Sequence, residues 1–169
     1  CDERSLLSLK TRNNLYGDFN YALNELTVHK KDTASMIKID AYLDAEFLNS
    51  YWADGLIISS PTGSTAYNMS CGGPIVLPGS ENFVVTPIAP HNLNVRPAVV
   101  SNDSEIRLKV EGRSDDYLIA LDSRTEIIRA NEEVVISKAP FSFKLIKPKG
   151  HSFISTMRNK LGWGLDKRN

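Results

Sequence analysis

The sequence predicts a mainly β protein, a layered β-sandwich of many short strands with one helix after residue 62 and a short C-terminal helix. Three observations lead there. Beyond Pro74, apolar runs recur near 83–87, 97–100, 104–111, 117–121, 125–129, 133–138 and 141–147. They are parted by Asn102-Asp103, Ser114-Asp115-Asp116 and Asn131-Glu132, which is the turn chemistry of a sandwich or a strongly bent sheet. Upstream, Met36 to Leu43 alternates apolar and polar residues, and Asp44-Ala45 marks a tight turn into Glu46-Phe47-Leu48. Finally, 169 residues at 41% hydrophobic and 24% charged suffice to bury a core without metals or disulfides.

The remaining elements follow in order. Residues 2–16 carry Leu6, Leu7 and Leu9 among charges and read as a short helix or strand lead-in ending at the Tyr16-Gly17-Asp18 turn. Residues 18–29 form a second unit with apolar residues around Asn24-Glu25. Gly55-Leu56-Ile57-Ile58 is a continuous apolar run of the buried-strand type. At the far end, Ser152 is placed to cap a helix whose apolar positions Phe153, Ile154, Met157 and Leu161 fall at helical spacing.

Charge and composition exclude several functions. Twenty Lys and Arg balance 20 Asp and Glu, so the basic face of a dedicated duplex binder is missing and no nucleic-acid partner is expected. No apolar stretch approaches the roughly 20 residues that cross a bilayer, and no signal-peptide pattern opens the chain. The expected setting is cytoplasmic, without membrane contact. Two cysteines, Cys1 and Cys71, and three scattered histidines make neither a disulfide framework nor a zinc site.

Chemistry concentrates in Asp54 to Gly73. A buried strand runs into Ser59-Ser60-Pro61-Thr62-Gly63-Ser64-Thr65-Ala66-Tyr67. Pro61 stops the strand, Gly63 permits unusual backbone angles, and Ser64 or Thr65 is placed to cap a following helix. A helix start at a strand end offers free N–H groups to a phosphate or the polar edge of a nucleotide. Thr62, Ser64, Thr65 and Ser70 add neutral hydrogen-bonding groups, and Tyr67 a flat face. The same turn also occurs in proteins with no ligand. Neither a P-loop lysine nor a G-x-G-x-x-G is present. Asp54 on its own reads as a solvated turn residue.

The run Asp54 to Tyr67, continuing through Ser70 to Gly72-Gly73-Pro74, resembles the signature of the NAD kinase family. Ala22-Leu23-Asn24-Glu25 is similar to that family's Asn-Glu motif, and Thr86 to Leu93 with Arg96-Pro97 is similar to a third characteristic segment. The resemblance implies phosphoryl transfer from ATP or polyphosphate, with Mg²⁺, to the 2′-hydroxyl of the adenosine ribose of NAD, giving NADP. The helix after residue 62 would then face the nucleotide. Asn24 and Glu25 would contact the adenosine and its ribose hydroxyls, with a structural carboxylate as the rival reading of Glu25. Thr65, Ala66 and Tyr67 would hold the adenine, Tyr67 by stacking, with Ser70 one turn later and Thr62 among the cofactor-binding residues. Asp54 would accept a hydrogen bond from a ligand amine or amide, often across a subunit interface, and Ala89 would supply backbone and shape. Asp122-Ser123-Arg124 stands where the family usually shows Asp-Gly followed by Gln or Arg, with Ser123 in place of that glycine and Arg124 as the implied ligand contact. His91 and Arg96 read as structural or interface residues, and His151 as a packed residue able to approach a phosphate.

The family's Gly-Gly-Asp-Gly motif is absent from these residues. Residues 1–169 are therefore expected to be the NAD-binding β-sandwich half of a two-domain enzyme, inactive alone and assembling as a homodimer or homotetramer. A non-catalytic dinucleotide-binding module is the alternative, and a lipid kinase of the same superfamily a more distant one.

Overall fold

A computed structural model describes residues 2–31, 35–148, 150 and 152–164. Cys1 and His151 lie outside the described residues. In chain order the strands are β1 (Asp2–Thr11), β2 (Tyr21–Ala22), β3 (Glu25–Lys30), β4 (Ile37–Leu43), β5 (Glu46–Ala53), β6 (Gly55–Ser59), β7 (Asn82–Ile88), β8 (Ala98–Ser101), β9 (Ile106–Glu111), β10 (Asp116–Leu121), β11 (Arg124–Arg129) and β12 (Glu133–Leu145). Helix α1 (Tyr67–Ser70) sits between β6 and β7, and α2 (Phe153–Leu161) follows the last strand. No helix among the described residues is long and apolar enough to cross a membrane.

The strands make two six-stranded sheets, β2-β1-β12-β9-β4-β5 and β11-β10-β3-β6-β7-β8, with every pairing antiparallel. One apolar cluster draws on both. Leu7, Leu9, Ile39, Leu108 and Ile136 come from the first sheet, and Leu26, Val28, Leu56, Ile58, Phe83, Tyr117 and Ile119 from the second. This shared core between two strand layers is the mainly β architecture that the sequence pattern predicts.

Several elements differ from expectation for identifiable reasons. The lead-in is a full strand, β1. Asp44 and Ala45 both take positive φ, 50° and 69°, the conformation that matches a two-residue hairpin turn to strand twist; the strand after it runs on to Ala53. The two runs near 133–138 and 141–147 are one strand. Ser5 pairs with Ser142 and Leu7 with Lys138, so a single residue of β1 faces Ala139-Pro140-Phe141. That bulge accommodates a proline, which has no N–H for the ladder. Ser152 caps α2 as expected, its Oγ accepting from the Ser155 N–H at 3.0 Å, and Gly162 at φ 65° ends the helix.

The chain changes sheet twice in a way that matters for function. Between β2 and β3 it crosses through Leu23-Asn24, and between β5 and β6 through the single residue Asp54. Strand β6 is buried along its whole length because the segment after it folds back over its outer face. This is why it reads as an unbroken apolar run.

Gly63 lies directly against the first crossing: a Cβ there would stand 2.1 Å from the Asn24 carbonyl oxygen and 2.7 Å from its Cα. Backbone on both sides leaves nothing to swing aside. Gly63→Ala is expected to lower stability by about 1–3 kcal/mol, read as an earlier denaturant midpoint. An unchanged midpoint would show that the two segments are not interlocked.

Candidate functional site

The crossing at Leu23-Asn24 presents backbone polar groups that belong to neither sheet, and each one finds a partner. The Asp122 carboxylate accepts from three consecutive N–H groups: Leu23 at 2.9 Å and Asn24 at 2.8 Å, with Glu25 at 3.2 Å. The Asp122 N–H in turn donates to the Glu25 carbonyl at 2.9 Å. On the other side the Ser60 hydroxyl donates to the Leu23 carbonyl at 2.5 Å and the Ser60 N–H to the Asn24 carbonyl at 2.9 Å. A run of N–H groups around one anion is a nest, and here the anion is a side chain of the same chain. Asp122 reaches it from the two-residue turn between β10 and β11 with φ 51°, while Ser123 keeps a negative φ. The serine therefore fits this turn without strain, since the left-handed position is Asp122.

Glu25 is left differently. Its Oε2 is buried with no hydrogen-bond partner. Burial, reinforced by the Asp122 charge, pushes its carboxyl up from 4.5 to about 6. The rival reading of Glu25 as the carboxylate that satisfies local backbone fails here, because Asp122 performs that task. An acceptor held ready without an internal partner suits a ligand's hydroxyl groups.

The segment after β6 is tighter than the sequence predicts. Gly63–Thr65 forms a 3-10 turn, and α1 is a single turn whose N-cap is Ala66 with no side-chain capping bond. Neither Ser64 nor Thr65 caps it. The buried Ser64 hydroxyl instead staples the segment, donating to the Pro61 carbonyl at 2.7 Å and accepting from the Val76 N–H at 3.0 Å. Asn68, fully buried, completes the staple. Its amide donates to the carbonyls of Ser64 and Pro74 at 2.9 and 3.0 Å, and its Oδ1 accepts from Thr86 on β7 at 2.6 Å. With Ser64 and Asn68 committed inward, Tyr67 and Ser70 face solvent; Tyr67 is 40% exposed. Burial and the neighbouring Cys71 raise the Tyr67 phenol above its ordinary value, with Asp54 adding to the effect.

Register divides the predicted residues into two groups. Glu25 pairs with Ser59 and His29 with Gly55, so Glu25 and Asp54 lie at opposite ends of β6, about 16 Å apart at 3.3 Å per residue. At the Ser59 end stand Asn24, Glu25, Thr62, Thr65 and Arg124. Thr62 and Thr65 line a cavity of about 340 Å³ together with Arg4, Met69, Phe143 and Met157, and Arg4 donates to the Thr62 hydroxyl at 3.4 Å. The Arg124 guanidinium donates to the carbonyls of Phe19 and Tyr21 and lies over the Tyr16 ring. It is thus engaged with its own chain. At the Gly55 end stand Asp54, whose carboxylate meets the Lys30 ammonium at 2.6 Å, and Ala89, just past β7 with φ 46°. Ala66 and Tyr67 lie on the segment between, and the Asp54 charge is felt at Tyr67. His91 and Arg96 make backbone contacts, His91 N–H to the Trp52 carbonyl and Arg96 to Leu93 and Val95.

This geometry has counterparts in known proteins. The sequence pattern of the ATP-NAD kinase C-terminal domain matches residues 23–148. The chain belongs to that family. It is 54% identical over 169 residues to the NAD kinase of Flavobacterium psychrophilum, covering 99% of this chain and 58% of that protein. Against the NAD kinase of Cytophaga hutchinsonii it is 51% identical over 167 residues, covering 99% and 57%. The crystal structure of yeast NADH kinase complexed with NADH superposes with a TM-score of 0.89 at 26% identity, covering 99% of this chain and 50% of that one. An Archaeoglobus fulgidus NAD kinase in complex with ATP gives 0.77 at 27%, covering 95% and 59%. The chain thus spans less than three fifths of the length of the curated relatives it matches.

Asp122, Ser60, Asn68 and Lys30 organise the site and were not singled out as site residues by sequence reasoning. An aspartate in a two-residue turn is ordinary hairpin chemistry, and nothing local ties it to residues about a hundred positions earlier. The raised Glu25 carboxyl yields a prediction. A carboxyl whose folded value exceeds its unfolded one favours folding below the unfolded value, and that contribution is lost as pH rises through the folded one. Glu25→Gln is therefore expected to stabilise the fold by about 1 kcal/mol at about pH 8, allowing for a half-buried group. The gain vanishes below the ordinary value of 4.5. Thermal unfolding of both forms across pH checks it.

Proposed function

We propose that this chain forms the NAD-recognising part of an NAD kinase, which transfers a phosphoryl group from ATP or polyphosphate to the 2′-hydroxyl of the adenosine ribose, giving NADP. The observation that carries the reading is the Asn24-Glu25 corner: a rigidly held backbone that leaves a buried carboxylate oxygen without an internal partner. A ribose edge with adjacent hydroxyls supplies the donors that this oxygen lacks. Family membership and the NADH and ATP carried by the two structural relatives support the same reading.

On this reading Glu25 and Asn24 orient the ribose, while Thr65, Ala66 and the exposed Tyr67 ring hold the adenine, with Thr62 and Ser70 at its margins. Neutral groups and one carboxylate make most of these contacts, in keeping with a chain whose charges cancel. The Asp54 and Ala89 end lies too far along β6 to serve the same ribose, which fits a homodimer or homotetramer in which that end completes a neighbouring copy's site. Among the described residues no group of three or more His, Cys, Asp and Glu side chains converges as a metal site. We place positioning and charge stabilisation of the transferred group in the remaining length of the matched relatives, and the enzyme in a cytoplasmic setting.

Calorimetric titration of NAD and NADP into the whole protein tests the site. Tyr67→Ala and Asn24→Ala are each expected to weaken binding about tenfold or more, the scale of a lost stacking or hydrogen-bonding partner. Unchanged dissociation constants in both variants would overturn the assignment. Residues 1–169 alone, given NAD, ATP and Mg²⁺, are expected to form no NADP; production of NADP by that piece would refute the division of labour.

A further inference from the structure

We infer that Asp122 is the positioning residue of the site, holding the Asn24-Glu25 backbone in its ligand-ready shape from the adjoining turn. The geometry is specific. Three consecutive N–H groups, from Leu23, Asn24 and Glu25, converge on one carboxylate at 2.8 to 3.2 Å. The return bond from the Asp122 N–H to the Glu25 carbonyl fixes the distance between the two segments. Neither sheet supplies partners for the Leu23 and Asn24 N–H groups, since β2 ends at Ala22 and β3 begins at Glu25. Without the carboxylate they would turn to water, and the corner would lose the one conformation in which both motif side chains share an end of β6.

The second half of the inference concerns charge. Asp122 is the ionised group acting on Glu25, adding to the effect of burial. Ser59 at the end of β6 and Ser60 after it are hydroxyls. Of the cations near this corner, Arg4, which lines the cavity beside Leu23 and Thr62, pairs with Asp2 at 2.7 Å, and Arg124 is bound to the carbonyls of Phe19 and Tyr21. The same carboxylate that builds the corner therefore adds to burial in raising its neighbour's carboxyl to about 6, a coupling that follows from bringing two acids together across adjoining segments. Ribose binding needs Glu25 as an acceptor, so nucleotide affinity should fall as pH drops through about 6.

The affinity arm rests on the proposed function; two further arms do not. Asp122→Asn keeps an acceptor for the Asn24 and Glu25 N–H groups and removes the charge, whereas Asp122→Ala removes both. In the whole protein, carboxyl ¹³C titration should show the Glu25 midpoint moving down in Asp122→Asn from about 6 toward the ordinary value of 4.5. Amide exchange at residues 23–25 should accelerate at least tenfold in Asp122→Ala, with exchange in β6 and β10 unaltered. NAD affinity should fall about tenfold or more in Asp122→Ala, while the pH profile of binding in Asp122→Asn moves to lower pH. A Glu25 midpoint that stays put, together with unchanged exchange at residues 23–25, overturns the inference. Loss of stability without movement of either pH profile reduces Asp122 to a merely structural residue and also overturns it. If the titration and exchange arms respond as stated but the unaltered protein binds no NAD, Asp122 still positions the corner and the nucleotide reading is the one that fails.

Discussion

The site depends on how the chain crosses from one sheet to the other at Leu23-Asn24. A crossing strips backbone groups from the ladder on both sides, and buried polar groups left unpaired cost of the order of 1–3 kcal/mol each. Asp122 answers the N–H groups, and Ser60 answers the carbonyls. Gly63 allows the turn after β6 to press against Asn24 without a side chain between them. Three segments far apart in sequence, the crossing, the β6 exit and the β10–β11 turn, are thereby locked at one edge of the sandwich. The motif side chains inherit their positions from this lock.

That arrangement also divides polar labour. Ser64, Asn68 and Thr86 form a satisfied buried network that fastens the covering segment onto the outer face of β6 and β7. Because those groups are spent internally, the residues left for a ligand are the ones that point away, notably Tyr67 and Ser70, with Glu25 at the crossing. The unsatisfied Glu25 oxygen stands out against this background. Among the described residues the Arg4 Nε, the Asn82 Oδ1 and the Glu132 Oε1 share that condition, and each such atom costs stability that a partner would return.

Much of the architecture was legible in the sequence. Period-two alternation and turn pairs placed the strands, and the apolar run of β6 correctly announced a strand covered on both faces. The Ser152 cap was readable from spacing alone. Two errors share one cause. The runs near 133–138 and 141–147 read as two strands, whereas β12 carries through from Glu133 to Leu145 because the bulge opposite β1 absorbs Pro140. Ser64 was read as a helix cap because capping is the local use of a serine after a turn, whereas its hydroxyl meets Val76 twelve residues later. Local rules see a residue's neighbours along the chain and not the partner that folding brings to it.

The sequence by itself determined the strand order along the chain, the family, and the three segments that carry it, since these rest on periodicity and on residue types in fixed succession. Tertiary structure decided which groups remain free. Register alone puts Asp54 and Glu25 at opposite ends of β6, and packing alone turns Asp122 into the anchor of a motif about a hundred residues away. Both outcomes follow from the same physics: hydrogen-bond demand at a sheet crossing is created locally, but it is met by whatever chain the fold delivers there.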